Sequence, residues 1–264
     1  MNIQKSLLIL GLCLSLTFCA ATQKEPKIDK ENDPQYIYEK AVVSMNYDLI
    51  DEAVKYLHQA LDLNPLHFPS HYLLGVAYVK KENWIEARKF LEEAVNLKPN
   101  ETDPHSYLIS VYQNLGLMDA VIEEHKKIYA LDKNFNSSFS LANYYFEKNE
   151  LETALEYIRN AIIQNSQSTA AYNIYGVILS KLGRYPEAIM SFQNALRNDS
   201  NNVTAGINLG VAYINTQELD KARQILTKFL SITQDQALKK KIQEYLDRIK
   251  VPSKPEAIPP GLYY

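Results

Sequence analysis

Along most of the chain, large apolar residues recur three and four positions apart, with small residues at fixed places between them. Residues 169–202 show the pattern most fully. Tyr172, Tyr175, Gly176 and Leu179 fall at spacings that share one helical face. The run from Lys181 to Arg184 breaks that face, and Gly183 can supply the left-handed residue that closes a helix. Pro186 then stands at the start of a second helix, where its missing N–H costs nothing. Ala188, Phe192 and Ala195 carry the apolar stripe of that helix onward. Each small residue marks a place where two helices approach too closely for a large side chain.

The same spacing fits other parts of the chain. From Phe68 it reads His71, Leu74, Gly75, Tyr78, Ala87, Leu91 and Ala94, with Pro99 as the stop. From Val203 it reads Gly206, Leu209, Gly210, Tyr213, Ala222 and Leu226, with Phe229 where the others have Ala. Copies also start at Pro34 and Phe135. The copy from Thr102 is one residue shorter, and Val121, His125 and Ile128 replace its small-large-small trio. The period and residue pattern resemble the tetratricopeptide repeat. That resemblance implies an all-α, right-handed superhelical solenoid of about six helix-turn-helix repeats: 34–67, 68–101, 102–134, 135–168, 169–202 and 203–236.

Residues 237–250 interleave Leu238, Ile242, Leu246 and Ile249 with charged residues, the form of an amphipathic helix that caps the last repeat. The alternative for such a basic helix is a membrane surface. The final residues, 251–264, are Pro-rich and end in Leu262, Tyr263 and Tyr264, which could dock on a partner or on the chain's own groove, or form a free tail.

The first 18 residues differ from the rest. Lys5 is their one charge, and the run from Ser6 to Phe18 is almost wholly apolar, which has the form of a secretory signal peptide and is short for a membrane span. Leu16 stands three residues before Cys19, an arrangement that resembles the bacterial lipoprotein box, although Phe18 occupies the place of its usual small residue. The resemblance implies that Cys19 is lipidated. The two cysteines, Cys13 and Cys19, both lie in this segment, so a chain beginning at Cys19 has no disulfide. Ordinary secretion with cleavage near Ala21, or an uncleaved anchor, are the alternatives. Ala20 is not the Asp that favours inner-membrane retention in enteric bacteria, so the expected location is the periplasmic side of the outer membrane. Residues 19–33 are polar and charged and read as a flexible tether from the lipid to the repeats.

A net charge of −3 argues against nucleic acid, since a groove that holds phosphates needs a basic surplus. There is no Gly-rich phosphate loop and no nucleophile elbow, so neither an enzyme, a cofactor nor a small-molecule substrate is expected. His67 and His71 have a helical metal spacing, but Phe68-Pro69 puts His67 in a turn, and both read as partly exposed histidines rather than ligands. The pairs Asp51-Glu52, Glu92-Glu93 and Glu123-Glu124 read as solvated faces. The chain has 19 tyrosines, and those at Tyr78, Tyr112, Tyr145 and Tyr213 read as packing.

In tetratricopeptide proteins the first helix of each repeat lines the concave face. Carried onto this chain, the resemblance places Tyr38, Tyr72, Val76, Phe139, Asn143, Phe146, Asn173, Val177 and Ile207 in that groove. Aromatic, aliphatic and amide groups of this kind suit an extended or helical peptide, with Asn able to bond its backbone as donor and acceptor. Lys80 and Lys181 sit at the edge, so the basic clamp of chaperone-binding relatives is not expected. The size, repeat number and anchor are similar to those of pilotin-type lipoproteins that assist type IV pilus secretins. The expected function is therefore a non-enzymatic scaffold for an envelope complex. The alternative is an adaptor that docks and regulates an envelope protease or cell-wall synthase or hydrolase.

Overall fold

The computed structural model describes residues 32–249, and the signal segment, most of the tether and the Pro-rich tail lie outside them. The described residues form thirteen helices and no strand. Six antiparallel pairs follow one another: α1 (Pro34–Asn46) with α2 (Ile50–Leu63), α3 (Phe68–Lys80) with α4 (Trp84–Leu97), and α5 (Thr102–Asn114) with α6 (Met118–Leu131). Then come α7 (Phe135–Glu147) with α8 (Leu151–Gln164), α9 (Thr169–Lys181) with α10 (Tyr185–Asn198), and α11 (Val203–Asn215) with α12 (Leu219–Ile232). A single helix, α13 (Gln236–Arg248), packs on α12.

Every first helix is closed in the same way. The residue two places beyond it is left-handed in all six pairs: Asp48 (φ 58°), Glu82 (55°), Gly116 (72°), Asn149 (61°), Gly183 (73°) and Gln217 (64°). The next N–H reaches back five residues to a helix carbonyl, as in Arg184 to Leu179 (2.9 Å) and Asn83 to Tyr78 (2.9 Å). The left-handed residue itself donates to the carbonyl three residues back, as in Gly183 to Ser180 (3.0 Å). These two bonds satisfy carbonyls that the helix end would leave orphaned and turn the chain sharply into the second helix. At the other end, Asp33, Asn134, Ser168, Asn202 and Asp235 cap the helices that follow them by accepting from backbone N–H groups.

Size complementarity joins the two helices of a pair. A Cβ placed on Gly176 would lie 2.5 Å from Cε1 of Phe192, and one on Gly210 would lie 2.6 Å from the Leu226 side chain. The bare backbone thus admits large side chains that are fully buried, each worth about 1.5–3 kcal/mol. The last pair inverts this arrangement at one level. The fifth repeat has Tyr172 and Ala195 at two positions where the sixth has Gly206 and a fully buried Phe229. A Cβ on Gly206 would collide with the Phe229 ring, so the absent side chain on one helix accounts for the large one on the other.

Helices pack on their pair partner and on their immediate neighbours, so no contact joins distant repeats directly among the pairs that touch extensively. One such pair cannot bury both its faces, and stability comes from the neighbour interfaces. At the C-terminal end α13 packs on α12 and buries Ile242, Tyr245 and Leu246, with Lys240 exposed.

Candidate protein-interaction groove

The first helices of successive repeats lie side by side, with α1 against α3, α3 against α5, α7 against α9 and α9 against α11. Their fifth and ninth residues form the surface that the repeat pattern assigns to a partner. In the N-terminal two-thirds of the stack this surface is open, with aromatic residues in the first, second and fourth repeats and Ser106 and Ser110 in the third. Tyr38 meets the His67 ring edge-on at 5.6 Å. Tyr72 is stacked on Phe68 at 6.2 Å and meets Tyr107 edge-on at 5.8 Å. Phe139 is stacked on Phe135 at 5.5 Å. Val76 and Asn143 lie on the same helices, also half-exposed. Burial, helped by Tyr107 and Asp103 nearby, pushes the Tyr72 hydroxyl up to about 12, so it remains a donor at neutral pH.

The C-terminal third differs from the sequence expectation of an open lining. Asn173, Val177 and Ile207 are buried there, Ile207 completely, and Phe146 on α7 of the fourth repeat is buried as well. Asn173 Oδ1 accepts from Asn208 Nδ2 at 3.0 Å, an amide pair that ties α9 to α11. Its carbonyl is thus already engaged. Lys181 lies 4.5 Å from the centre of the Phe146 ring, a cation–π contact at the groove edge.

Two other expectations change. His71 is buried rather than partly exposed, because its Nε2 donates to the Pro65 carbonyl (2.8 Å) in the preceding turn and its ring lies against Phe90. Glu124 is not on a solvated face. It is buried in the third repeat, where it accepts from His105 Nδ1 and, at 2.7 Å, from Lys127 Nζ. Its neighbour Glu123 is exposed and pairs with Lys126. His105 Nε2 faces the Pro99 carbonyl at 3.0 Å, so both ring nitrogens have acceptors only, an arrangement that favours the protonated ring. Among the described residues no group of three or more His, Cys, Asp or Glu side chains could hold a metal ion.

Sequence reasoning also missed a cleft of about 450 Å³ at the N-terminal end, lined by Tyr36, Lys40, Val43, Tyr47 and Tyr56 among others. Tyr47 is 75% exposed and Val43 53%. The first repeat holds four tyrosines, and three of them, Tyr36, Tyr47 and Tyr56, line this cleft.

Comparisons with known proteins agree with this geometry. The tetratricopeptide repeat model matches residues 49–109 and 179–242, and a model of subunit 3 of the anaphase-promoting complex, or cyclosome, matches residues 125–195. A TPR repeat-containing protein of Methanocaldococcus jannaschii is 23% identical over 85% of this chain and 41% of its own length. The mouse protein O-mannosyl-transferase TMTC3 is 27% identical over 66% of this chain and 20% of its own length. The chain thus spans well under half the length of these relatives. The crystal structure of MamA protein shares the fold, with a TM-score of 0.55, 20% identity, and coverage of 71% of this chain and 98% of that one. The described residues have the fold of a helical tetratricopeptide-repeat solenoid, an architecture that indicates a protein–protein interaction scaffold.

Proposed function

We propose that this protein is a non-enzymatic scaffold, lipid-anchored through Cys19 on the periplasmic side of the bacterial outer membrane. Its groove holds an extended or helical segment of a protein partner and helps assemble an envelope complex, such as a type IV pilus secretin. The observation that carries the binding reading is the half-exposed set of Tyr72 on the first helix of the second repeat and Phe139 and Asn143 on that of the fourth, where the aromatic rings keep part of their area available. The location rests on the apolar N-terminal run and its Leu16-to-Cys19 spacing.

The test is capture of partners from membranes by full-length protein and by a Phe139→Ala, Asn143→Ala double variant. Loss of a hot-spot aromatic costs about 2 kcal/mol or more of binding. Capture is expected to fall by well over tenfold, with little change in thermal stability and no change for Glu93→Ala. Normal recovery by the double variant would refute the groove. Recovery of proteases or cell-wall enzymes in place of secretin components would replace the pilus reading with the adaptor one.

A further inference from the structure

Helix α11 is buried on every side. All ten residues 205–214 are buried, including Ile207 and Val211 at its groove positions. Yet the helices that pack extensively on α11 are three, α9, α10 and α12, whereas α9 has four such neighbours. The more enclosed helix has the fewer described neighbours. Its sequence agrees: Ile207, Val211 and Ile214 make it apolar on the face that in α5 presents Ser106 and Ser110, and a helix apolar all round requires cover. The groove positions are half-exposed or exposed through α1, α3, α5 and α7, then closed in α9 and α11.

We propose that the chain's own C-terminal segment, residues 251–264, occupies the groove over α9 and α11 and competes with the protein partner for it. This rests on the groove being the binding surface. Three observations select this occupant. First, α13 follows α12 as α11 follows α10, so by the alternation of the stack it runs parallel to α11 and ends at the same rim of the groove. Second, residues 250–264 follow, and in extended form they reach about 45 Å at roughly 3.1 Å per residue. Neighbouring helix axes lie about 8–10 Å apart, so that length crosses α11 and α9 with residues to spare. Third, the chemistry matches. Pro252, Pro255, Pro259 and Pro260 favour an extended chain with few internal hydrogen bonds, and Ile258 and Leu262 supply apolar side chains for Val177 and Ile207. The groove holds a waiting acceptor: Asn208 is 3% exposed and its Oδ1 has no hydrogen-bond partner among the described residues.

The experiment uses a labelled synthetic peptide of residues 251–264 and needs no partner. Full-length protein is compared with a variant lacking 251–264 and with a milder Ile258→Ser, Leu262→Ser variant that keeps the tail. The peptide is expected to bind both variants at least tenfold more tightly than the full-length protein. A thiol placed by Val211→Cys, in a Cys13→Ser, Cys19→Ser background, is expected to react with a maleimide at least tenfold faster in both variants, and added peptide should restore protection. Equal peptide binding by all three proteins, or a thiol rate that ignores the tail, would overturn the proposal. So would protection that disappears on dilution to monomer, which assigns the cover to a second copy, or on removal of residues 1–31, which assigns it to the N-terminal segment. Partner capture that still depends on Phe139 and Asn143 would leave the groove reading standing in any of those cases.

Discussion

His105 donates from Nδ1 to Glu124 across the interior of the third repeat, and both side chains are almost wholly buried. The same ring donates from Nε2 to the Pro99 carbonyl, so one side chain joins α5, α6 and the turn before α5. His71 occupies the equivalent place one repeat earlier and makes the equivalent bond to Pro65, but there Phe90 stands where the third repeat has Glu124. In the second repeat the histidine packs against an aromatic ring in place of a carboxylate. The third holds a charged triad with Lys127 at its solvent edge.

This triad sets a pH dependence. The hydrogen bond to Glu124 raises the His105 value above that of an ordinary histidine, against the effect of burial. For Glu124 burial acts upward, but the bonds from His105 and Lys127 outweigh it and hold the carboxyl below its usual range. The His105 contribution is full below the ordinary histidine value and is lost as pH rises through the raised one. The Glu124 contribution is full above the ordinary carboxyl value and is lost as pH falls through the lowered one. Buried, neutral His125, whose value is lowered by desolvation, opposes this by favouring unfolding as pH falls below the ordinary histidine range. Glu124→Ala should therefore cost about 3 kcal/mol, the lower end expected for stranding a buried charge. Denaturant titration should find that loss between the ordinary carboxyl value and the raised His105 value, shrinking at alkaline pH. A loss independent of pH would show that packing alone is at stake.

The Gly206 and Phe229 pair predicts a strong coupling. Gly206→Leu alone should destabilise by about 1–3 kcal/mol, because the added side chain meets the Phe229 ring. Phe229→Ala alone should cost about 3–5 kcal/mol through the cavity it leaves. Together they restore the size order of the first, second and fifth repeats, and the double variant should be more stable than the sum of the two by at least about 1 kcal/mol. Additive losses in a thermal or denaturant cycle would contradict the proposed fit.

The left-handed turn predicts a gain. Glu82 holds φ at 55°, a conformation that costs a residue with a side chain about 1–2 kcal/mol and glycine almost nothing. After the extra chain entropy of glycine is subtracted, Glu82→Gly should stabilise by about 0.5–1 kcal/mol. Asn149→Gly should gain less, since Asn tolerates this region better. Melting temperatures of the two variants give the comparison directly.

The anchor prediction concerns a residue outside the described part of the chain. Intact-mass analysis of mature protein should show diacylglycerol on Cys19, and Cys19→Ala should leave the protein soluble or at precursor length. Cys13→Ala should anchor normally. A mature N-terminus beyond residue 20 would refute lipidation.

Much of the fold could be read from the sequence because close contacts impose size at fixed spacings. Gly176 opposite Phe192 and Gly210 opposite Leu226 are legible as small and large letters before any helix is placed. The turn was legible only at Gly116 and Gly183. Asp48, Glu82, Asn149 and Gln217 adopt the same left-handed state with no glycine to announce it, because the flanking helices dictate the backbone there. The burial of Glu124 was hidden for a different reason. Adjacent acids look alike in sequence, and the side facing His105 becomes evident only when α5 and α6 are set against each other. At the groove, residue types on the first helices were legible, but closure over Val177 and Ile207 depends on what lies above them in space.

The nearest-neighbour packing of the pairs also determines how the molecule bears a load. A tether attached before Asp33 would pull on α1, whose contacts are with α2 and α3. Tension would then pass through the repeats as through links in series, each interface carrying the whole force. Such a chain yields at its weakest link, and the pairs should detach singly from the pulled end while the remainder stays folded. The third repeat, pinned by His105 and Glu124, would be the point where that unzipping stalls.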